Sequence, residues 1–189
     1  MRFTTGLPEY IGLVALIGNF STQLPNGDGL LPGPGDDKGV EFMIPAGAKG
    51  HTETMKFTVP ANGDGTKLKE LKVYAASSHM HYVGTDMFIS VDRPAPTPEA
   101  PAHECLVQTP KWDFNWQRQY YYDAAVASLP SLSTGDVLNF RCTYDNSLDN
   151  AFVKRALFEQ NLSAPRDVRL GETTLDEMCL GNLTLLFKL

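Results

Sequence analysis

Apolar stretches in this chain are short, and each is cut off by a cluster of glycine, proline or aspartate. PAGAKG (45–50), ANGDGTK (61–67), DRPAPTPEAP (92–101) and STGD (133–136) punctuate the sequence. Such clusters supply turn chemistry, and breaks roughly every ten residues favour many short strands over long helices. Strand candidates fall at 39–45, 54–60, 68–77, 84–92, 103–109, 116–122, 136–143 and 178–188. The run KLKELKVYAA (67–76) alternates and then turns fully apolar, as a strand entering a core does. Residues 152–160 (FVKRALFEQ) admit a short helix, but an irregular excursion is favoured. About eight short strands give an all-β fold, an antiparallel β-sandwich of jelly-roll type.

With 189 residues the chain fits one domain. The sandwich is expected over 39–189, with residues 1–38 forming an N-terminal strand and a Gly/Pro/Asp-rich loop packed against it. The apolar segment Tyr10–Phe20 follows Pro8 and Glu9, has one Arg upstream and lacks a small-residue cleavage site. It is therefore expected to be a buried strand; a signal for export would lie upstream of it. No run reaches the length of a membrane span. A net charge of −6 argues against nucleic acid, whose phosphates call for a basic face. Asp28, Asp36 and Asp37 lack the spacing of an EF-hand loop and suit glycine-rich turns.

Chemistry concentrates in SSHMHYVGTDM (77–87). His79 and His81 lie two apart at the end of a strand, so their side chains leave from one face. Two imidazoles on one rigid element suit zinc, copper, iron or nickel, although an HxH pair alone is often a surface accident. GETTLDEMCL (171–180) places Met178 beside Cys179 at the start of the last strand. By default such a methionine packs in the core. Beside two imidazoles, its soft thioether would favour cuprous copper, whereas zinc would take a thiolate or carboxylate.

Together these segments resemble the C-terminal domain of the type II copper, ascorbate-dependent monooxygenases, the family of peptidylglycine α-hydroxylating monooxygenase and dopamine β-monooxygenase. The resemblance covers residues 40–188. IPAGAKG, HMH followed by Tyr-Val-Gly, GDVLNFRCTYDNS and GETTLDEMC occur in family order, and WDFNWQ (112–117) is similar to the bacterial version. It implies that His79, His81 and Met178 hold one copper at a catalytic site for oxygen activation and C–H hydroxylation. It also implies a Cys142–Cys179 disulfide and a periplasmic or extracellular location. Cys105 has no such partner and is expected to be a small buried hydrophobe.

Departures narrow the reading. The peptide-amidating branch has an Arg two residues before the first ligating His and a Tyr four residues after the Met; here these positions are Ser77 and Asn182. Neither gives a charge-assisted carboxylate clamp, so the resemblance points away from peptide amidation and leaves the substrate, small molecule or peptide, unassigned. Of the four histidines, His51 and His103 cannot build the family's second, three-histidine copper site; they are expected to be exposed polar residues. An electron donor or second copper domain must come from elsewhere. The alternative is a non-catalytic copper-binding or structural domain of a larger assembly. Trp112, Phe114, Trp116, Tyr120, Tyr121 and Tyr122 serve sheet packing or form a pocket wall. Glu172, Asp176 and Glu177 either hydrogen-bond a ligating imidazole or solvate a turn.

Overall fold

The fold is taken from a computed structural model that describes residues 2–4, 10–19, 42–68 and 71–188. In chain order the strands are β1 (Arg2–Thr4), β2 (Tyr10–Asn19), β3 (Met43–Ile44), β4 (Lys49–Thr58), β5 (Leu71–His79), β6 (Gly84–Asp92) and β7 (His103–Thr109). They continue with β8 (Gln119–Tyr121), β9 (Ser131–Leu132), β10 (Val137–Asp145), β11 (Val168–Arg169) and β12 (Cys179–Lys188). One α-helix, α1 (Ala151–Glu159), interrupts the series among the described residues. The loop 21–38, with Asp28, Asp36 and Asp37, lies outside them.

One sheet runs β1-β2-β12-β5-β8, with β9 also on β5, and the other runs β4-β10-β6-β7; β11 and β3 form a separate pair. Eight of the strands pair as nested sets: β2 with β12, β4 with β10, β5 with the three-residue β8, and β6 with β7. Nested antiparallel pairs divided between two facing sheets make a jelly roll, as the turn spacing predicts. Tyr10–Phe20 supplies β2, which pairs with β12 along its length. The expected strand 39–45 narrows to β3, its first three positions lying outside the described residues. β4 begins earlier than predicted: Gly50, with φ +65°, occupies a bulge between the pairs Asp145–Lys49 and Tyr144–His51.

Strict alternation builds the core. Along β10, Leu138, Phe140, Cys142 and Tyr144 are buried while their neighbours are not. They join Met55, Ile89 and Val91 from their own sheet and Val73, Ala76, Leu183 and Leu185 from the other in one cluster. Burial of each large apolar side chain contributes roughly 1.5–3 kcal/mol. The sheets approach so closely at Gly181 that a Cβ there would lie 2.4 Å from Phe140 Cε1. A disulfide joins Cys142 of β10 to Cys179 of β12, with Cα atoms 5.9 Å apart, and so bridges the two sheets.

Two expectations are corrected. Residues 151–159 form a helix, not an irregular excursion: Asn150 caps it by accepting from Phe152 N at 3.0 Å, and Val153, Ala156 and Leu157 bury one face. Cys105 is exposed, not buried, because only Leu106 on the edge strand β7 is covered. Beyond β6, the buried Arg93 donates to Glu104 at 2.6 Å and to the Ser131 and Pro101 carbonyls at 2.8 Å each. Among the described residues no helix is long and apolar enough to cross a membrane.

Candidate metal centre

β5 ends at His79, whose partner in the ladder with β12 is Leu180. Residues two apart share a face of an extended segment, which puts His79 and His81 on one face; the ladder itself stops at His79 and Leu180, short of Met178. The two imidazoles meet edge to face, with ring centroids 5.3 Å apart. His79 is half-buried at the rim and His81 is buried.

Hydrogen bonds fix both rings. His79 Nδ1 lies 2.7 Å from Gln117 Oε1, and His81 Nδ1 lies 3.0 Å from the carbonyl oxygen of Asp176. Both partners are acceptors, so they favour a proton on Nδ1 of each ring and leave Nε2 as the nitrogen free for other contacts. Holding the remote ring nitrogen in this way is how proteins orient a ligating histidine. Burial lowers the His81 pKa below its ordinary value, and neighbouring His79 adds to the effect, while the Asp176 carbonyl offsets it. The sequence leaves Gln117 unmarked because it lies 38 positions away.

Around these residues the backbone is clamped by buried polar groups. Glu177 is fully buried. Its Oε2 accepts from His81 N at 2.6 Å and Met178 N at 2.9 Å, and its Oε1 from Val83 N at 3.0 Å and Gly84 N at 3.2 Å. Burial raises the pKa of its carboxyl, while those four N–H donors pull it back by favouring the ionised, acceptor-only form. The Tyr144 hydroxyl donates to the Met178 carbonyl at 2.9 Å, and Trp112 Nε1 donates to the His81 carbonyl at 3.0 Å. Asp176 acts on His81 through its main chain; its carboxylate closes a turn by accepting from Thr173 Oγ1 at 2.7 Å. Glu172 is exposed.

A cleft of about 340 Å³ opens beside His79, lined in part by Ser77, Gln117, Arg118, Gln119 and Asn182. The two positions singled out as departures, Ser77 and Asn182, therefore share this cleft and oppose each other across β5 and β12. Arg118, which the sequence did not mark, brings positive charge to it and stacks over the Trp116 ring at 4.2 Å. The buried Oδ1 of Asn182 lacks a hydrogen-bond partner among the described residues.

The aromatic cluster divides. Trp112 is buried, and Phe114 packs edge-on against His81 and Tyr82, at 6.2 and 4.6 Å. Trp116, Tyr120 and Tyr121 are exposed, and the Tyr122 hydroxyl donates to the Leu106 carbonyl at 2.5 Å. The other two histidines belong to the opposite sheet and are paired with carboxylates. His103 is exposed as expected, 2.6 Å from Asp92; His51 is half-buried instead, 2.7 Å from Glu53.

Two available Nε2 atoms on adjoining rings suit a metal ion held at about 2 Å by each. Among the described residues no group of three or more His, Cys, Asp and Glu could hold a metal ion, so a third protein ligand here would have to come from outside that set. Two imidazoles without a thiolate or carboxylate beside them lack the donor set of structural zinc, and a thioether as third ligand would suit copper. No protein-family model matches the chain, and no curated protein matches it in sequence.

Proposed function

We propose that this chain is a copper-binding domain of monooxygenase type, holding one copper through His79, His81 and Met178. The observation that carries the reading is the pair of imidazoles at the end of β5, each held at Nδ1 by an acceptor and with ring centroids 5.3 Å apart; Met178 enters as the third ligand that the resemblance implies. Bound copper would supply the one-electron and dioxygen chemistry that hydroxylation of a C–H bond requires. The chain's own residues orient the ligands, keep His81 neutral and offer a polar cleft beside His79 where a substrate can lie. Arg118, Gln119 and Asn182 would hold that substrate's polar groups, while Phe114 and Trp112 screen the His81 side from water. The cross-sheet disulfide supports an exported, oxidising location.

A second reading has its own support: copper retention without turnover by this chain alone. The two remaining histidines of the sequence are committed to Glu53 and Asp92 on the other sheet. Reducing equivalents would then come from another domain or protein.

Copper stoichiometry by elemental analysis, on protein reconstituted and desalted, tests both. One copper per chain, lost in the His79→Ala, His81→Ala double variant, is the expected result; no retained copper in the wild type sinks the proposal. Met178→Ile then separates the readings. It is expected to abolish oxidation of an added substrate with Cu(II) loading largely intact if the domain is catalytic, and to weaken only Cu(I) retention if it is not.

A further inference from the structure

We propose that Glu177 is a positioning residue that locks Met178 to the His81 turn and thereby sets the site's preference for Cu(I) over Cu(II). The inference rests on the copper reading above. The β5–β12 ladder stops at His79 and Leu180, and among the described residues no backbone–backbone hydrogen bond joins residue 81 to residue 178. A single side-chain atom takes the place of that missing rung: Glu177 Oε2 accepts from both His81 N and Met178 N. The other oxygen gathers Val83 N and Gly84 N, so one carboxylate fixes the whole turn that follows the HxH pair.

Only a carboxylate suits the position. It is acceptor-only, with enough lone pairs for four donors, whereas an amide would turn its own N–H bonds against two of them. An apolar residue would strand four buried N–H groups.

His81 keeps two further anchors when Glu177 is changed, the Asp176 carbonyl on Nδ1 and Trp112 on its own carbonyl. Met178 keeps the Tyr144 hydroxyl on its carbonyl, but the direct tie between the amides of 81 and 178 runs through Glu177 Oε2. Its loss displaces the thioether relative to the imidazoles, and soft sulfur is what distinguishes a Cu(I) site from one that holds Cu(II) through nitrogen.

The test is copper binding by Glu177→Gln and Glu177→Asp, with Cu(I) affinity from chelator competition and sulfur coordination from X-ray absorption. Expected are a Cu(I) affinity lower by roughly 10–100-fold, a weakened or absent Cu–S signal, and a much smaller change for Cu(II). If Glu177→Gln does not fold, Glu177→Asp, which keeps the acceptor chemistry but is one methylene shorter, gives the same readout. Wild-type Cu(I) affinity and Cu–S scattering in a folded variant would overturn the inference while leaving the copper reading intact. A wild-type protein that binds neither copper state removes the copper reading, and this inference with it.

Discussion

Burial lowers the pKa of His81 and so favours its neutral imidazole, the form that the proposed copper site would require. The same effect gives a pH dependence of stability. Unfolded His81 takes up its proton near pH 6.5, whereas the folded residue does so only at lower pH, so the unfolded state binds more protons in between. Stability from this group is thus full above about pH 6.5 and declines as pH falls through the folded value. Metal-free His81→Gln should lack that component of the slope, which denaturant midpoints between pH 5 and 7.5 would register. That the His79 and His81 rings would adjoin was legible, because residues two apart at a strand end leave from one face. Met178 was not legible from its residue type, since a lone methionine is ordinarily core. Gln117 was silent, and Trp112 was marked only as packing or pocket wall, because their hydrogen bonds come from the approach of distant segments, 38 and 31 positions away.

Short elements carry more of the order here than their length suggests. Asn150 caps α1 and also donates to the Tyr82 and Asp145 carbonyls, tying the helix to the turn behind the imidazoles. Asn150→Ala should therefore cost at least the ~1 kcal/mol of a lost cap, read as a lower urea midpoint. The helix escaped the sequence reading because its apolar face is only three residues, and the packing that selects it is tertiary. Just past the edge strand β8, Tyr122 donates to Leu106 of β7 in the other sheet. Burial pushes its phenol up to about 12, with Glu104 adding to the shift. The folded form keeps its proton where the unfolded phenol loses it, so this stabilisation is present below about pH 10 and lost as pH rises toward 12. Alkaline unfolding of Tyr122→Phe should show a shallower decline. Cys105 shows the limit of pattern reading at such edges: alternation locates a strand, but it does not tell which face is covered.

At the scale of the whole molecule, the sandwich follows from turn chemistry and alternation, both local properties, and this is why most strands lie where the sequence predicts them. Which strands become neighbours is a long-range matter, and the link between Cys142 and Cys179 came only by resemblance. Replacing both by alanine should destabilise the fold by about 2–5 kcal/mol. Denaturant unfolding with and without reductant provides the measurement: reductant should shift the wild type toward the variant and leave the variant unmoved. A Gly181→Val substitution tests the close approach of the sheets, with an overpacking cost of about 1–3 kcal/mol expected.

Nested pairing also dictates an order of events. Because β12 inserts between β2 and β5, the larger sheet has no centre until residues 179–188 have been synthesised. Until then, β2 and β5 present open edges that invite mispairing, and closure through such non-local contacts is a slow step, on the order of milliseconds to seconds. The proposed ligands arrive in two instalments, the imidazoles early with β5 and the thioether only as the last strand docks. On the proposed copper reading, an ion meeting the growing chain would find nitrogen alone, so any selection for the reduced metal would belong to the finished fold and not to the nascent one.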